Sequence, residues 1–281
     1  MICAWQDFLN IVPISIRKSV DKQGRDAMTE LRLRVGMPAQ MVFQNQSIWL
    51  EGCITAGDLS YCINTASDYS PWSAETISDG YITARGGHRI GICGTTSVRS
   101  GQVLSIRTPA SLCLRVARDF SGIAANACKF SGSVLIVGRP GSGKTTILRD
   151  LIRMRSNAGE CISVVDERGE IFPFAGNSFS FPIGKQTDVM IGCSKERGIN
   201  AVLRSMNPDV IAVDEITAKE DCDAMLRAGW CGVKLLATAH ADSVQELRCR
   251  PVYKPIIDSR LFDTVIVMRH DKSWYSERLS V

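Results

Sequence analysis

Residues 138–145 have the sequence Gly138-Arg139-Pro140-Gly141-Ser142-Gly143-Lys144-Thr145. They fit the pattern G-x-x-x-x-G-K-[ST] at every fixed position. Residues 133–137, just before them, form a short apolar run with β-branched members, which predicts a buried strand. Residues 146–153, just after, place their apolar members on one face of a helix. A glycine-rich loop between a strand and a helix is the setting of a phosphate-binding loop.

The chemistry of such a loop comes from its backbone. Glycines allow N–H groups to turn inward, and the start of the following helix adds partial positive charge. We expect Lys144 to lie between the β- and γ-phosphates of ATP, and the Thr145 hydroxyl to bind Mg²⁺. The alternative is a glycine-rich turn that binds nothing, and both flanks argue against it. The predicted nucleotide-binding residues are Gly138, Arg139, Pro140, Gly141, Ser142, Gly143, Lys144, Thr145 and Thr146.

Composition limits the class of protein. The chain has 281 residues, 45% of them hydrophobic and 22% charged, as in an ordinary globular protein. The net charge of +4 is too small to imply nucleic acid by itself. No apolar run approaches the ~20 residues of a membrane span, and the N-terminus lacks the features of a signal peptide. The eleven cysteines include no C-x-x-C pair, so we expect reduced cytosolic thiols and no zinc site.

The two halves of the chain have different patterns. Short alternating strands and turns over residues 30–116 predict an α+β half with a mostly antiparallel sheet. Pro109 predicts a break between strands at 103–107 and 112–116. The spacing of Thr55 and Asp58 is that of a helix capping box.

Beyond residue 132, apolar strands alternate with helices, which predicts a parallel sheet with helices on both faces. The predicted strands are Val134–Val137, Cys161–Val165, Val210–Val213, Lys234–Ala239 and Thr264–Met268. We therefore predict an N-terminal α+β domain over 1–118, a linker over 119–131 and an α/β P-loop NTPase core, RecA/AAA-like, over 132–281.

Two carboxylates, Asp214 and Glu215, follow the buried run 210–213. Downstream of a phosphate-binding loop, the first carboxylate is expected to help hold Mg²⁺. The second suits the role of general base toward the attacking water. The alternative is a strand that ends at an acidic turn.

A second acidic pair, Asp166 and Glu167, follows the predicted strand residues Ser163-Val164-Val165. A parallel strand beside the loop strand would bring both carboxylates to the sheet edge where ligands bind. Either would then orient water or metal. The alternative is a solvated turn with a surface pair of Arg168 and Glu170.

His240 ends the apolar strand at 235–239, where it is either a satisfied structural residue or a sensor of the γ-phosphate. Phosphoryl transfer also gains from an arginine supplied across an interface. The candidates lie in the first half, where ordinary strand-surface arginines are the alternative. They are Arg85, Arg89, Arg107 and Arg115.

In this order the motifs resemble the secretion ATPase superfamily, the motors of type II and type IV secretion and of type IV pili. The segments that carry this resemblance are residues 138–145, 166–170, Leu203-Arg204 with 208–215, and 238–240. The order Asp166 then Glu167 departs from the usual Glu-Asp of the superfamily. This departure leaves open which of the two contacts the site. The tetracysteine zinc element of many type II motors is absent.

The chain more closely resembles the stage III sporulation protein AA family. The segments that carry this resemblance are spread over nearly the whole chain: 30–36, 80–83, 86–89, 165–168, 187–189, 204–206 and 237–240. The resemblance implies an ATPase of endospore formation that powers or assembles a channel complex between mother cell and forespore. It also implies a homo-hexameric ring, cytoplasmic and peripheral to the mother-cell membrane, and a membrane partner like stage III sporulation protein AB.

Three functions follow from these observations. The first is an Mg²⁺-dependent ATPase in which ring motion follows hydrolysis. The second is a nucleotide-gated assembly scaffold with little turnover, and the third is a pilus or DNA-transfer motor. Direct nucleic-acid binding is not expected, because no aromatic-basic recognition motif is present.

Overall fold

The computed structural model describes residues 1–68, 80–99, 102–175 and 177–279. Its helices are α1 (Trp5–Ile11), α2 (Ile14–Gly24), α3 (Ala56–Ala66), α4 (Lys144–Asn157), α5 (Lys195–Ser205), α6 (Lys219–Trp230), α7 (Val244–Cys249) and α8 (Lys254–Asp258). Short 3-10 turns occur at Arg85–Gly87 and Pro251–Tyr253. No helix within these ranges is long and apolar enough to cross a membrane.

The strands of the N-terminal half are β1 (Glu30–Arg34), β2 (Gln40–Val42), β3 (Ser47–Trp49), β4 (Tyr81–Thr83), β5 (Arg89–Arg99) and β6 (Gln102–Arg115). Those of the C-terminal half are β7 (Val134–Val137), β8 (Ile162–Asp166), β9 (Phe174–Ala175), β10 (Ser178–Phe179), β11 (Thr187–Ile191), β12 (Val210–Val213), β13 (Lys234–Ala239), β14 (Thr264–Met268) and β15 (Trp274–Arg278).

The chain forms two compact units. Unit 1 comprises Met1–Asp119 and Pro173–Phe181, and unit 2 comprises Phe120–Phe172 and Pro182–Val281. The hairpin of β9 and β10 therefore belongs to the N-terminal unit, which its sequence position does not suggest.

The segment 119–131, predicted as a linker, does not lie between the two units. From Phe120 onward it is part of unit 2, because α4 holds it in place. The fully buried carboxylate of Asp150 accepts the backbone N–H groups of Gly122 and Ala124, at 3.1 and 2.8 Å. Such charge-assisted bonds to a buried acid anchor a segment firmly.

Unit 1 is built on an antiparallel sheet with the strand order β3-β2-β1-β6-β5-β4. One face of this sheet is buried, with Leu31, Leu33 and Leu114 in a core shared with α1, α2 and α3. The predicted capping box begins α3: Thr55 Oγ1 accepts the Asp58 N–H at 3.1 Å, and the Asp58 carboxylate accepts the Thr55 N–H at 2.8 Å. The predicted antiparallel sheet is confirmed.

The predicted break at Pro109 is wrong, because β6 is one strand from Gln102 to Arg115. Proline is tolerated here since β1 ends opposite Ser111, so Pro109 lies beyond the β1 pairing. On the other side, Pro109 pairs with Gly94 where the register between β5 and β6 shifts. The sequence also predicts a turn at Gly101-Gln102 and a pair of strands that begins at Asp79; Gly101 and Asp79 lie outside the described residues.

Unit 2 is built on a sheet with the order β11-β8-β12-β13-β7-β14-β15. All neighbours are parallel except β14 and β15, so the predicted parallel sheet is confirmed. Alternate strand residues such as Leu135 and Ile211 form a core with α5, α6 and α8. On α4, Ile147, Leu148, Leu151 and Ile152 are buried as predicted.

The position predicted for β8 is wrong in one respect. It was expected beside the loop strand β7, but β12 and β13 separate the two. The chain crosses from β7 through α4 to β8 past the positions of β13 and β12, so these two consecutive strands are not neighbours. The carboxyl ends of β7 and β8 nevertheless share one sheet edge, because every strand between them is parallel.

Because Gly94 lies close to the backbone of β6, we predict that alanine is more destabilising at Gly94 than at Gly91 of the same strand. A Cβ at Gly94 would lie 2.0 Å from the Thr108 carbonyl oxygen, whereas a Cβ at Gly91 would meet nothing closer than 3.8 Å. We expect Gly94→Ala to lower the free energy of unfolding by about 1–3 kcal/mol, because the backbone of β6 must shift. Urea denaturation of the full chain measures this change. The control Gly91→Ala should change stability by less than about 1 kcal/mol, and equal effects of the two would contradict the prediction.

Candidate functional site

The site is assembled by strand register. In the parallel pairing of β13, Ala239 lies opposite Val137 of β7, and Ala237 lies opposite Val213 of β12. The residues that follow these strands, Gly138, His240 and Asp214, therefore leave the sheet at the same edge. Ligands of open α/β sheets bind at this edge.

The loop between β7 and α4 has the conformation that its glycines allow. Gly143, the N-cap of α4, has φ of 100°, a left-handed conformation that side chains disfavour. A Cβ at Gly138 would lie 2.7 Å from Ser142 Oγ and 2.8 Å from Met268 Cβ. Only glycine fits at Gly138 without displacing its neighbours.

Lys144 is buried at the first position of α4. Its ammonium donates to the carbonyl oxygens of Gly138 and Arg139, at 3.0 and 3.1 Å, and contacts Nδ1 of His240 at 3.2 Å. Burial lowers the pKa of Lys144, and the carboxylates of Glu215 and Asp214 partly oppose this shift. The loop itself therefore holds the predicted phosphate-binding lysine.

Thr145 and Asp214 lie together, as the magnesium prediction requires. The Thr145 hydroxyl donates to Asp214 Oδ2 at 2.8 Å. The other carboxylate oxygen, Oδ1, accepts the Glu215 N–H at 3.0 Å and a short hydrogen bond from the hydroxyl of Thr238. A hydroxyl next to a carboxylate is a suitable pair of oxygen ligands for Mg²⁺.

Glu215 and His240 form a hydrogen-bonded pair. His240 Nε2 lies 2.9 Å from Glu215 Oε1, and Arg168 Nη1 lies 3.7 Å from Glu215 Oε2. Because Lys144 has only protons to give, Nδ1 of His240 accepts and Nε2 carries the hydrogen that reaches Glu215. His240 thus links the predicted phosphate-binding lysine to the predicted general base.

The two carboxylates of the other acidic pair have different surroundings. Asp166 is buried, and its oxygens accept the backbone N–H groups of Glu170, Ile171 and Phe172, each at 2.8 Å. Glu167 is partly exposed and forms a short ion pair with Lys195. Both carboxylates line an open cleft, whose other lining residues are Arg168, Glu170, Lys195, Asp214, Glu215 and Thr217. The whole acidic pair therefore shares a cleft with the predicted metal and base residues, and the two carboxylates differ in their partners.

The remaining loop residues test whether a nucleotide fits. Within the described chain, Ser142 Oγ is buried without a hydrogen-bond partner, as expected for a group that contacts a ligand oxygen. Pro140 and Gly141 are exposed, and a Cβ at Gly141 would meet open space. Arg139 points away to an exposed pair with Asp242, at 2.7 Å from its Nε, and Thr146 is half-buried. With Lys144, Thr145 and Asp214, these residues fit a nucleotide and Mg²⁺.

The arginines predicted to act across an interface all lie in unit 1. Arg89 stacks over the ring of Tyr81, with 4.1 Å between guanidinium carbon and ring centre. Arg115 pairs with Glu30 at 3.4 Å, Arg85 pairs with Asp68 at 3.0 Å, and Arg107 is exposed on β6. Their part in phosphoryl transfer stays a prediction.

Sequence reasoning assigned no site role to three residues: Thr238, Arg168 and Lys195. Thr238 and Arg168 lie inside the motif segments 238–240 and 166–170. Their polar side chains near strand ends could therefore have indicated a role at the site. Lys195, at the start of α5, had no such signal, since its ion pair with Glu167 depends on how α5 packs on β8.

Comparison with known sequences identifies relatives along the whole chain. The family described as "Sporulation stage III, protein AA" matches residues 4–276. Stage III sporulation protein AA of Bacillus subtilis (strain 168) is 32% identical over 280 residues, which cover 95% of this chain and 91% of that protein. Protein SEEDLING PLASTID DEVELOPMENT 1 of Arabidopsis thaliana is 28% identical over 267 residues, 89% of this chain and 35% of that protein.

Solved structures of an ATPase and of a pilus retraction motor have a similar fold. The Legionella pneumophila ATPase DotB superposes with a TM-score of 0.60 at 16% identity, covering 95% of this chain and 80% of that one. The pilus retraction motor PilT, determined with bound ADP, gives a TM-score of 0.63 at 17% identity, with coverage of 92% and 78%. These likenesses show a RecA-like α/β fold, as the motifs predicted. From the family match and the identity along nearly its full length, the chain belongs to the stage III sporulation protein AA family.

Proposed function

We propose that this protein is an Mg²⁺-dependent ATPase. The observation that carries the proposal is the cluster at one sheet edge, where Thr145 donates to Asp214 and Glu215 follows directly in the chain. The phosphate-binding loop, a metal-binding pair and a carboxylate base are together the parts that phosphoryl transfer to water requires.

Each side chain has a distinct task in this proposal. Lys144, Ser142 and the loop N–H groups bind the phosphates, and Thr145 with Asp214 holds the metal. Mg²⁺, when bound, neutralises charge on the phosphate oxygens. Glu215 accepts a proton from the attacking water. His240, hydrogen-bonded to Glu215 and Lys144, orients the base and responds when the lysine turns to a phosphate.

We propose different roles for Asp166, at the end of β8, and Glu167, which follows it. Asp166 has both oxygens engaged by backbone N–H groups, so it shapes the turn that follows β8. Glu167 lines the same cleft, is partly exposed and pairs with Lys195 instead of with backbone N–H groups, so we assign to it the polar contacts with water near the metal.

The cellular role follows from family membership. We propose that ATP hydrolysis serves endospore formation by powering or assembling a channel complex between mother cell and forespore. The protein would act as a homo-hexameric ring, in the cytoplasm at the mother-cell membrane, with a membrane protein like stage III sporulation protein AB. An arginine among Arg85, Arg89, Arg107 and Arg115 would come from a neighbouring subunit. The fold shared with the ATPase DotB and the PilT motor supports the choice of an ATPase.

Two substitutions separate binding from hydrolysis. Lys144→Ala should weaken ATP binding by at least about tenfold, because the loop loses its phosphate-binding charge. Glu215→Gln should keep ATP affinity within about threefold but lower kcat by about 10²–10⁴, because the base is lost. Phosphate release and binding of a fluorescent ATP analogue measure the two effects. Lys185→Ala, at an exposed lysine of the same unit, is the matched control and should change neither.

Other outcomes would identify a different function. Turnover that survives Glu215→Gln would remove Glu215 from the role of base. Tight ATP binding and nucleotide-dependent assembly without turnover in the wild type would contradict the ATPase and favour a nucleotide-gated scaffold. Light scattering in each nucleotide state reports the assembly.

The burial of Asp166 predicts a pH dependence of stability. Burial raises the pKa of the Asp166 carboxyl from 3.8 to about 6, although the hydrogen bonds from three backbone N–H groups partly oppose this shift. A carboxyl whose pKa is higher in the folded state contributes stability that is complete below its unfolded pKa and is lost as pH rises through about 6. We expect the wild type to lose stability relative to Asp166→Asn between pH 5 and pH 7. Urea denaturation at both pH values tests this, and an equal difference at the two would contradict it.

A further inference from the structure

We propose that Thr238 is a positioning residue that fixes both the metal ligand Asp214 and the general base Glu215 through its hydroxyl. The inference rests on the proposed ATPase function and extends it to a residue that contacts neither nucleotide nor metal. It is carried by the contacts of Thr238 on β13 with the turn that follows β12.

The direction of each hydrogen bond at Thr238 is fixed by its partners. Thr238 Oγ1 accepts the Glu215 N–H at 2.8 Å and forms a short bond with Asp214 Oδ1. A backbone N–H only donates and an ionised carboxylate only accepts, so the hydroxyl proton points to Asp214. The side chain is fully buried, so water does not compete for these bonds.

The two carboxylate oxygens of Asp214 have different hydrogen-bond partners. Oδ1 receives the Thr238 hydroxyl and the Glu215 N–H, while Oδ2 receives the Thr145 hydroxyl. Oδ1 is thus held by Thr238 and the turn after β12, while Oδ2 lies beside Thr145, the other proposed metal ligand. Hydrogen bonds from neighbouring residues to a metal ligand fix its orientation.

For Glu215, Thr238 holds an unusual backbone conformation. Glu215 has φ of 45°, in the left-handed region that residues other than glycine seldom adopt. Thr238 stabilises the turn twice, since its hydroxyl binds the Glu215 N–H and its carbonyl accepts the Ile216 N–H at 2.9 Å. This turn places the Glu215 carboxylate next to His240. Strained conformations held by their surroundings are typical of functional sites.

The position offers no packing reason for a hydroxyl. Leu235, Leu236, Ala237 and Ala239, the other buried residues of β13, are all apolar. Valine has nearly the same shape as threonine and suits a buried strand. The hydroxyl at this position is therefore explained by its bonds to Asp214 and Glu215.

The test compares Thr238→Val, Thr238→Ser and the control Thr264→Val in the full chain. Thr264 is a buried threonine of the same sheet, on β14, outside the site. We expect Thr238→Val to lower kcat by about 10–100-fold and to raise the Mg²⁺ concentration for half-maximal activity by a similar factor. Binding of ADP in EDTA should stay within about threefold, because the loop and Lys144 are untouched. Thr238→Ser should recover kcat to within about threefold of wild type, and Thr264→Val should leave all values unchanged.

Three results would overturn the inference. The first is wild-type kcat and Mg²⁺ dependence in Thr238→Val. The second is an equal loss of activity in Thr238→Ser and Thr238→Val, which would mean that the hydroxyl does not act. The third is weaker metal-free ADP binding, or a lower urea denaturation midpoint, in Thr238→Val but not in Thr264→Val. Either change would show that the Thr238 hydroxyl has only a structural role.

A second measurement separates this inference from the proposed function. If the wild type binds ATP but does not hydrolyse it, the Mg²⁺ affinity of the protein with a non-hydrolysable ATP analogue replaces kcat. A 10–100-fold weaker Mg²⁺ affinity in Thr238→Val, recovered in Thr238→Ser, would then support the positioning of Asp214 although the ATPase proposal had failed. Unchanged Mg²⁺ affinity in Thr238→Val would overturn the inference, whatever the outcome for the ATPase proposal.

Discussion

The candidate site depends on the parallel pairing of β13 between β7 and β12. Because the three strands run in one direction, the loop after β7, the carboxylates after β12 and the histidine after β13 leave the sheet at one edge. The pairing of Val213 with Ala237 places Asp214 beside Thr238, and that of Val137 with Ala239 places Gly138 beside His240. A shift of one residue in either pairing would turn these side chains to the opposite face of the sheet.

Hydrogen bonds then link the pieces that the register brings together. Lys144 bonds to two loop carbonyls and to His240, and His240 bonds to Glu215. The Glu215 N–H bonds to Thr238, whose hydroxyl reaches Asp214, and Asp214 accepts from Thr145. The network therefore starts and ends on adjacent residues of α4. A ligand that attracts Lys144 would change the partners of His240, and through it those of Glu215.

Burial separates the roles of otherwise similar carboxylates. Asp166 ends one buried parallel strand and Asp214 follows another, yet Asp166 has its oxygens bound by three backbone N–H groups and Asp214 accepts the hydroxyls of Thr145 and Thr238. The last of the three donors is Phe172, the residue at which the chain passes from unit 2 into the β9–β10 hairpin of unit 1. Asp166 thus fixes the end of this segment of unit 2, while Glu167 beside it pairs with Lys195.

The sequence alone determined the glycine-rich loop between a strand and a helix, five of the six parallel strands of unit 2 and the family, because these are set by local spacing and by apolar runs within single segments; it missed β11. It also indicated the acidic pairs, since carboxylates that follow buried strands are visible in the chain. The tertiary structure alone decided that β8 lies two strands away from β7, that β6 continues through Pro109 and that residues 173–181 belong to unit 1. It also gave the Asp166 oxygens three backbone N–H partners and Glu167 an ion pair with Lys195, and it placed Thr238 against Asp214 and Glu215. These features depend on pairing and burial between segments distant in the chain, and no local pattern records which distant segment becomes a neighbour.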